Sequence, residues 1–371
     1  MNKVFIIHYQ PIELYPPIQN FIRVLEGCNP NSKYYILSTK GLFNELDLLK
    51  SNNLNIKIIR LGISGTKMNK IKRGINYLKF YAGSMFYLLK NWPNKILYYE
   101  TLSSLTPYLY NRYFNKKSNV YIHYHEYTSP QEYQKGMLLT RLFHEYEKYL
   151  YPLAKWVSHT NAYRMQLFKN DIIPTVIGNE KIFANYPPKN WITSPSILNT
   201  TPLKIIYAGS LSMDTMYTQK FAEWVQAQNG RVVWHIYSYN LTAETIEYLK
   251  KLSSKYISLK SGVNYDDLPN IFKKYNVGVV LYNGHIPNYI YNAPNKLFEY
   301  LSCGLDVWYP KVMEGCFPYD SIDTSPKVLR LNFNDLASYK LTELSKNEKL
   351  VNNLKLNSED ECADIISSIL E

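Results

Sequence analysis

The feature that most constrains the fold of this chain is a regular alternation of short apolar strands with helical stretches, which occurs twice. Strands that are separated by helices pair in parallel, and the helices cover both faces of the sheet. The pattern therefore predicts an α/β fold with two doubly wound parallel sheets. The predicted strands are Lys3–Tyr9, Tyr34–Ser38, Ile56–Leu61, Lys95–Glu100, Val120–His125 and Trp156–Thr160, then Lys204–Ala208, Val232–Tyr237, Ile257–Lys260, Val277–Leu281 and Asp306–Tyr309.

A segment rich in Pro, Ser, Thr and Asn separates the two series, between Tyr186 and Pro202, and this composition is typical of a linker. The length of 371 residues also favours two domains. We expect two Rossmann-like domains that face a cleft, over residues 1–188 and 200–356, and a C-terminal helix over 357–371 that packs back on the first domain. In such domains ligands bind at the carboxyl ends of the strands.

Signals for membrane insertion or export are weak in this sequence. The first three residues lead into four apolar residues, too few for the core of a secretory signal. The longest uncharged apolar stretch beside a basic region, Phe80–Leu89, has ten residues, whereas a spanning helix needs about 20. The four cysteines have no metal-ligand spacing. We expect a cytoplasmic protein with free thiols.

The positive charge is concentrated in the first half of the chain. Residues 1–190 carry 25 basic and 11 acidic side chains, a net charge of +14, whereas residues 191–371 have a net charge of −2. Ten basic residues and no acidic residue lie between Asp47 and Glu100. This asymmetry indicates an anionic partner for the first half: a membrane surface, a lipid-linked phosphate or a nucleic acid.

The segment Ile71–Leu89 has the periodicity of an amphipathic helix. Its apolar residues recur at spacings of four and three, which places on one face Ile71, Ile75, Leu78, Ala82, Met85 and Leu89. We expect this face to lie in the core. The basic residues off this face then form an ordinary solvated flank or, together with neighbouring aromatic residues, contact a membrane interface. That second interpretation involves Lys70, Lys72, Arg73, Lys79 and Lys90 with Tyr77, Phe80, Phe86 and Tyr87.

The strongest local pattern is the segment from Asn292 to Val307. Pro294 suits the first turn of a helix, and Lys296 and Glu299 then share one helix face because they are three residues apart. A cation near a helix N-terminus is unfavourable unless an anion also binds there. A nucleotide diphosphate would supply that anion. The alternative is a surface ion pair between Lys296 and Glu299.

This segment resembles the Pro-x-Lys-x-x-Glu-Tyr-Leu-x-x-Gly-x-x-Val segment of GT-B glycosyltransferases, above all of bacterial family 4-like enzymes in capsule and exopolysaccharide assembly. Further runs resemble donor-domain and acceptor-domain segments of the same enzymes: Ile206–Leu211, Tyr265–Pro269, Tyr124-His125-Glu126, Tyr163-Arg164 and Gly178-Asn179. The resemblance implies that Lys296 binds the donor phosphates and Glu299 the ribose. The implied donor-site residues are Gly209, Ser210, Tyr237, Asn295, Lys296 and Glu299. Tyr291 stands where these enzymes often have a second glutamate, so the stereochemistry is left open.

Three residues of the first half are candidate catalytic groups. His125 ends a predicted strand and Glu126 follows it, and one or the other would position the acceptor hydroxyl or the developing charge. Glu13, in the first loop, is a second candidate general base. Each also has an ordinary structural interpretation, and for His8 and His123 that interpretation is the one we adopt. We expect no metal, because Asp266 and Asp267 open a helix, where acidic residues act as caps.

These observations predict a metal-independent hexosyltransferase, peripheral to the inner face of the cell membrane. It would move a sugar from a nucleotide-sugar donor, UDP- or GDP-linked, to a lipid-linked saccharide acceptor in bacterial surface polysaccharide synthesis. Two alternatives stay open. A sugar-nucleotide epimerase shares the two-domain fold, and a basic nucleic-acid-binding protein would explain the charge but lacks any recognised binding module.

Overall fold

The computed structural model describes residues 2–28, 31–41, 49–65, 68–172, 179–194, 201–239, 241–252, 254–341, 350–351 and 356–371. The chain divides into two compact units. Unit 1 consists of Met1–Ala184 and Ser358–Glu371, and unit 2 of Asn185–Asn357. Several positions that the sequence interpretation used lie outside the described residues: Asp47, Lys67, Gly178 and the linker residues 195–200.

Unit 1 is built on a parallel sheet that has seven strands within the described ranges. They are β1 (Asn2–His8), β2 (Ser32–Gly41), β3 (Ile56–Ser64), β4 (Lys95–Tyr99), β5 (Asn119–Tyr124), β6 (Trp156–His159) and β7 (Glu180–Ile182). Their order across the sheet is β3-β2-β1-β4-β5-β6-β7. The central strands β1, β4 and β5 are buried along nearly their whole length, which is expected of strands covered by helices on both faces.

The helices of unit 1 alternate with these strands. They are α1 (Pro16–Glu26), α2 (Lys70–Asn91), α3 (Leu105–Leu109), α4 (Pro130–Lys135), α5 (Leu138–Leu150) and α6 (Ala162–Asp171). A π-helical turn, Tyr110–Phe114, follows α3. Side-chain caps begin several of these helices. Asn69 caps α2 by accepting a hydrogen bond from Lys72 N at 2.8 Å, and Ser129 opens α4 with a capping box.

Unit 2 contains a second parallel sheet, with six strands in the described part of the chain. The strands of unit 2 are β8 (Leu203–Ala208), β9 (Val232–Ser238), β10 (Ile257–Ser261), β11 (Val277–Val279), β12 (Asp306–Pro310), β13 (Thr324–Ser325), β14 (Val328–Leu331) and β15 (Leu350–Val351). The six-stranded sheet has the order β10-β9-β8-β11-β12-β14, and β13 pairs with β15 separately. The helices of unit 2 are α7 (Thr218–Ala227), α8 (Ala243–Leu252), α9 (Leu268–Phe272), α10 (Pro287–Ile290) and α11 (Asn295–Ser302).

The last helix, α12 (Ser358–Leu370), follows unit 2 in the chain but packs in unit 1. Its apolar side chains Cys362, Ile365, Ile366 and Ile369 are part of the core that covers one face of the seven-stranded sheet. Hydrogen bonds fix both of its ends. Glu361 accepts a bond from Ala184 N at 2.8 Å, and Lys95 Nζ donates to Leu370 O at 2.5 Å.

The prediction that the apolar face of α2 lies in the core is wrong. Ile71 is 76% exposed and Leu78 is 69% exposed. The buried face of α2 consists instead of Phe80, Ser84 and Leu88, because the helix packs its aromatic side chains against those of the sheet. Tyr9, for example, contacts both Tyr77 and Phe80. No helix in the described ranges combines the length and apolar character that crossing a membrane requires.

Candidate functional site

The candidate donor site in unit 2 lies where the end of β8 meets the start of α11. Helix α11 begins directly after Pro294, and Lys296 is its second residue. The hydroxyl of Tyr300, one turn further along α11, accepts a hydrogen bond from Ala208 N at 3.0 Å. This bond holds the helix against the last residue of β8. The first turn of α11 therefore stands at the carboxyl end of a central strand of the sheet.

Gly209 follows β8 and leaves room for the side chain of Lys296. A Cβ atom at position 209 would lie 2.7 Å from Lys296 Nζ. The backbone of Gly209 has φ +130°, a conformation that other residues rarely adopt, and its N–H donates to Tyr237 O at 2.9 Å. A glycine is required here both for its backbone conformation and for the close approach of the lysine.

Lys296 is a largely buried cation beside aromatic rings. Its Nζ lies 5.4 Å from the centroid of the Tyr207 ring, which is a cation–π distance. Among the described residues, no carboxylate forms an ion pair with it. Burial alone lowers the pKa of Lys296, but Coulombic interactions with Tyr207, Tyr282 and Glu299 outweigh this and raise the pKa above its usual range. The side chain is therefore charged at neutral pH.

Glu299 lies one turn further along α11 and is 6% exposed. Burial raises the pKa of Glu299 to about 7, although the charge of Lys296 opposes this rise. The carboxyl group is thus protonated in part of the molecules at neutral pH, so it can donate or accept a hydrogen bond. Lys296 and Glu299 do not form the surface ion pair that the sequence left open, because Glu299 is buried and no ion pair joins the two described side chains.

The other predicted donor-site residues surround this position. The carbonyl of Ser210 accepts a hydrogen bond from the Tyr207 hydroxyl at 2.6 Å. Tyr237 contributes its carbonyl to Gly209, while its hydroxyl lies 3.1 Å from the hydroxyl of Tyr275. Asn295 is the first residue of α11 and is partly exposed. A cation, a glycine turn and the N–H groups of a helix N-terminus therefore meet at one point, which suits a phosphate group.

A cavity in unit 1 lies at the carboxyl ends of the adjacent strands β1, β4 and β5, and it has a volume of about 180 Å³. Its lining is mixed, with aromatic rings, hydroxyl groups, an imidazole and two carboxyl groups. The lining residues are His8, Tyr9, Gln10, Tyr15, Glu100, Thr101, Leu102, Ser103, Glu126, Thr128, Tyr133 and Thr140. Aromatic walls with convergent hydroxyl and carboxyl groups are suited to a polyhydroxylated ligand.

Glu100 lies directly after β4 and links it to the segment that follows β5. Its Oε1 accepts hydrogen bonds from His125 N at 2.6 Å and from Glu126 N at 3.3 Å. Its backbone has φ 63° and ψ 152°, a strained conformation for a residue with a side chain. Burial, followed by the negative charges of Glu126 and Glu147, raises the pKa of Glu100 to about 8, against the lowering effect of the two backbone hydrogen bonds.

His8 is the last residue of β1, and its ring is fully buried against the cavity. Its Nδ1 lies 2.8 Å from Gln10 O. Burial lowers the pKa of His8 to about 3, so the ring is neutral at pH 7. A carbonyl oxygen can only accept, so Nδ1 carries the proton and Nε2 has a free lone pair. Nε2 has no hydrogen-bond partner among the described residues.

His125 and Glu126 follow β5 on opposite sides of this cavity wall. The buried His125 ring stacks against the rings of Tyr15 and Tyr99, with centroid distances of 5.6 and 5.2 Å, and it does not line the cavity. The carbonyl of His125 accepts a hydrogen bond from the buried side chain of Arg164 at 2.6 Å. Glu126 is exposed and lines the cavity.

Glu13 has a different environment from the other two candidates. Its carboxylate forms an ion pair with Arg60 and accepts a hydrogen bond from Leu49 N at 3.0 Å. It does not line the cavity. These contacts support a role in holding the loops between β1, β2 and β3. In the described part of the chain, no three His, Cys, Asp or Glu side chains come together in a way that could hold a metal ion.

The likeness to solved structures covers the whole chain. Sucrose-phosphate synthase from Thermosynechococcus elongatus has a TM-score of 0.69 and 15% identity, over 100% of this chain and 97% of its own. The lipopolysaccharide outer core galactosyltransferase WaaB has a TM-score of 0.64 and 12% identity, over 99% of both chains. Anabaena HepE, solved with UDP and glucose, has a TM-score of 0.63 and 10% identity, over 100% of both.

These similar structures are GT-B glycosyltransferases. The chain has the GT-B fold. The prediction of two doubly wound, Rossmann-like domains with a terminal helix is therefore confirmed. No protein-family model matches the chain, and neither does the sequence of any curated protein.

Within the GT-B fold, the structure brings together the donor-site candidates of unit 2 but separates the three catalytic candidates of unit 1. Of those three, Glu126 alone lines the cavity, while His125 packs behind it and Glu13 is paired with Arg60. The sequence interpretation missed Glu100 and treated His8 as structural. The sequence pattern that identified His125 also applies to both of these residues, since each is a polar residue at the carboxyl end of a central apolar strand.

Proposed function

We propose that this protein is a glycosyltransferase that moves a hexosyl group from a nucleotide-sugar donor, UDP- or GDP-linked, to a saccharide acceptor. Unit 2 binds the donor and unit 1 binds the acceptor. The acceptor is lipid-linked and belongs to bacterial surface polysaccharide synthesis, and the reaction needs no metal. The GT-B fold supports the reaction class, and the solved complexes of Anabaena HepE with UDP and glucose and with UDP-glucose support the donor class.

The observation that carries this proposal is the state of Lys296. Burying a charge costs free energy unless a partner compensates for it. Lys296 is largely buried and forms no ion pair with any described carboxylate, yet its Nζ is packed against Gly209 at a helix N-terminus. An anionic ligand at this point would supply the missing partner. The diphosphate of a nucleotide sugar has the charge and the size for it.

The reaction follows from these two sites. The oxygen of an acceptor hydroxyl forms a bond to the anomeric carbon of the donor sugar and loses its proton, while the bond from that carbon to the diphosphate oxygen breaks. The nucleoside diphosphate leaves with the bonding electrons, and its oxygens gain negative charge. Lys296 stabilises this charge as it develops, which lowers the barrier to transfer.

The cavity of unit 1 supplies groups for the acceptor. The His8 ring forms part of the wall, and a protonated Glu100 can donate a hydrogen bond to a sugar hydroxyl. His8 is a weak base because its pKa is about 3, so it is not the group that receives the proton. Glu126, which is exposed and lines the same cavity, is the candidate to receive the proton.

Calorimetric titration of UDP, GDP and their nucleosides tests the donor site. A charge-assisted contact contributes about 1.5–3 kcal/mol, so Lys296→Ala should weaken diphosphate binding roughly 10- to 150-fold and nucleoside binding very little. Glu299→Gln should weaken both, because the ribose contact is common to them. The control is Lys250→Ala, since Lys250 is an exposed lysine of α8 in the same unit.

The result that would contradict the proposal is diphosphate affinity in Lys296→Ala equal to that of Lys250→Ala. A loss of similar size for diphosphate and nucleoside in Lys296→Ala would also contradict it, because a phosphate contact cannot act on a ligand without phosphate. A circular dichroism spectrum of each variant shows whether the fold is retained, so a change in binding can be assigned to the site.

A further inference from the structure

An apolar stripe runs along the outer face of α2. The large side chains on it are exposed, with exposed fractions of 76% for Ile71, 69% for Leu78 and 57% for Phe86. An α-helix turns about 100° per residue. By this rotation the side chains of the stripe point outward within a sector of about 80° around the helix axis. We call this face the α2 stripe, and its members are Ile71, Ile75, Leu78, Ala82, Phe86 and Leu89.

The α2 stripe cannot turn into the core, because α2 is fixed on its opposite side. A Cβ atom at Gly83 would lie 2.8 Å from the side chain of Leu61 in β3, so helix and sheet are in close contact there. Asn76 Oδ1 accepts a hydrogen bond from Ile63 N at 2.8 Å, and the Tyr81 hydroxyl donates to Leu102 O at 2.9 Å. These contacts keep the opposite face of α2 against the sheet and leave the stripe on the surface.

This arrangement is the reverse of an ordinary surface helix, in which the outer face is polar. Single exposed apolar residues need no explanation, but a contiguous apolar face marks a binding surface. The face is also too regular to be incidental, since apolar residues occupy its successive turns from Ile71 to Leu89. We therefore expect an apolar partner to cover this face in the functional state of the protein.

A row of lysines borders the α2 stripe. The same rotation of about 100° per residue places Lys72, Lys79 and Lys90 within about 20° of one another, along one edge of the stripe. All three are exposed, and none forms an ion pair with a described residue. No acidic residue occurs between Asp47 and Glu100, so no acidic side chain of this segment offsets the row. The partner must combine an apolar interior with a negatively charged surface.

We propose that the α2 stripe docks on a lipid bilayer with anionic headgroups, with the helix in the plane of the membrane. The apolar side chains enter the boundary of the acyl chains, and the row of lysines contacts the headgroup phosphates. Trp92, half exposed directly after α2, suits the interface beside them. This inference deepens the proposed function, since it rests on a lipid-linked acceptor bound by unit 1.

A second copy of the chain fits the surface less well. Antiparallel pairing of two α2 helices through their stripes would place the two rows of lysines on the same side of the pair, and like charges at short distance repel. A protein partner would need an acidic groove with an apolar floor. The bilayer satisfies both requirements over any length of helix.

Vesicle sedimentation tests the proposal without donor or acceptor. The probes are vesicles of phosphatidylcholine alone and vesicles in which part of the lipid is phosphatidylglycerol. The protein should bind the anionic vesicles, bind phosphatidylcholine little, and dissociate as salt is added. Lys72→Glu/Lys79→Glu/Lys90→Glu should lower the partition coefficient by at least roughly 100-fold, at about fivefold for each lysine lost. Ile71→Ser/Leu78→Ser should lower it by roughly 100-fold, at about tenfold for each side chain.

Matched control variants in unit 2 show whether vesicle binding depends on the α2 stripe or only on the net charge and exposed apolar area of the whole protein. Lys250→Glu/Lys251→Glu/Lys255→Glu makes the same change in net charge on exposed lysines, and Leu259→Ser/Ile322→Ser removes two exposed apolar side chains. Both controls should bind vesicles as the unaltered protein does. Circular dichroism shows whether each variant is folded, and titration with UDP and GDP separates failure of docking from failure of the proposed reaction.

Four results would overturn the proposal: no vesicle binding by the unaltered protein, equal binding by the α2 variants, equal losses in the unit 2 controls, or equal binding to both kinds of vesicle. A dimer in solution that Ile71→Ser/Leu78→Ser converts to a monomer, without vesicle binding, would show that a second copy covers the stripe.

Discussion

At the scale of single residues, Glu100 combines backbone strain with an unusual protonation state. Its φ of 63° with ψ of 152° lies in a region that costs about 1–3 kcal/mol for a residue with a side chain. The two hydrogen bonds from His125 N and Glu126 N hold it there. The pKa of Glu100 is about 8 because the carboxyl group is buried near other acidic groups. Such features concentrate at functional sites.

The pKa of Glu100 makes the stability of unit 1 depend on pH. The folded-state pKa is about 8 and the ordinary value is 4.5. Between these values the folded protein holds the proton while the unfolded chain has released it, so the free energy of unfolding falls as pH rises. The largest slope for one group is about 1.4 kcal/mol per pH unit. Glu100→Gln should remove this contribution. As the pH rises from 5.5 to 8, the free energy of unfolding of the variant should therefore increase relative to that of the unaltered protein.

Urea denaturation at several pH values, followed by the difference between the two proteins, measures this effect. The difference cancels the titration of groups that do not interact with Glu100. Glu145→Gln is the control, because Glu145 is exposed on α5 and the substitution removes the same charge; the difference should rise more steeply with pH for Glu100→Gln than for this control. A constant difference for Glu100→Gln would show that the carboxyl group is ionised in the folded protein throughout this range.

The sequence alone identified the donor-site residues of unit 2 better than the cavity residues of unit 1, and the difference has a physical reason. Lys296 and Glu299 were identifiable because a cation near a helix N-terminus is unfavourable without an anionic ligand. Glu13 was chosen because it is an acidic residue in the first loop, but its partner Arg60 comes from β3, and no local pattern reveals a contact between distant segments. Glu100 was missed because its strain and burial exist only in the folded chain.

At the scale of whole elements, the strands were predictable and the orientation of α2 was not. Each central strand is a short apolar run between turn residues, and such a run can be buried in one way only, within a covered sheet. Helix α2 has two faces that can be buried. One carries mainly aliphatic side chains, and the other carries Tyr77, Phe80 and Leu88. The aromatic face packs because Tyr9 and the sheet offer matching rings, which periodicity cannot show.

Helix α12 makes the stability of unit 1 depend on the end of the chain. Ile366 is buried in the core of unit 1, in the same cluster as side chains of α1 and of the sheet, although it follows all of unit 2 in the sequence. Ile366→Ala should lower the free energy of unfolding of unit 1 by about 2–5 kcal/mol, the usual cost of such a truncation in a core. Ser367→Ala, an exposed position on the same helix, should change it by less than about 0.5 kcal/mol.

Thermal denaturation followed by circular dichroism compares these two variants. If Ile366→Ala has the midpoint of Ser367→Ala, then α12 does not contribute to the core of unit 1. A lower midpoint that leaves the titration with UDP unchanged is the expected result, because the donor-site residues all belong to unit 2.

At the scale of the whole molecule, the two units should respond to different ligands. The donor-site candidates lie within Asn185–Asn357, whereas the cavity that holds His8 and Glu100 lies in unit 1. A ligand that binds only the folded state stabilises it by about 2.7 kcal/mol at 100 times its dissociation constant. For a unit the size of unit 2, this corresponds to a rise of roughly 5–10 °C in the midpoint. A donor nucleotide should therefore raise the unfolding temperature of unit 2.

A thermal-shift screen with UDP, GDP, CMP and dTDP checks this expectation and identifies the donor nucleotide. UDP or GDP should give the shift, and CMP should give a smaller one, because its single phosphate offers Lys296 less negative charge than a diphosphate does. Lys296→Ala should lose most of the shift, whereas Lys250→Ala should keep it. Equal shifts for all four nucleotides, or a shift that persists in Lys296→Ala, would show that the nucleotide does not bind at α11. The main support for a transferase would then be lost.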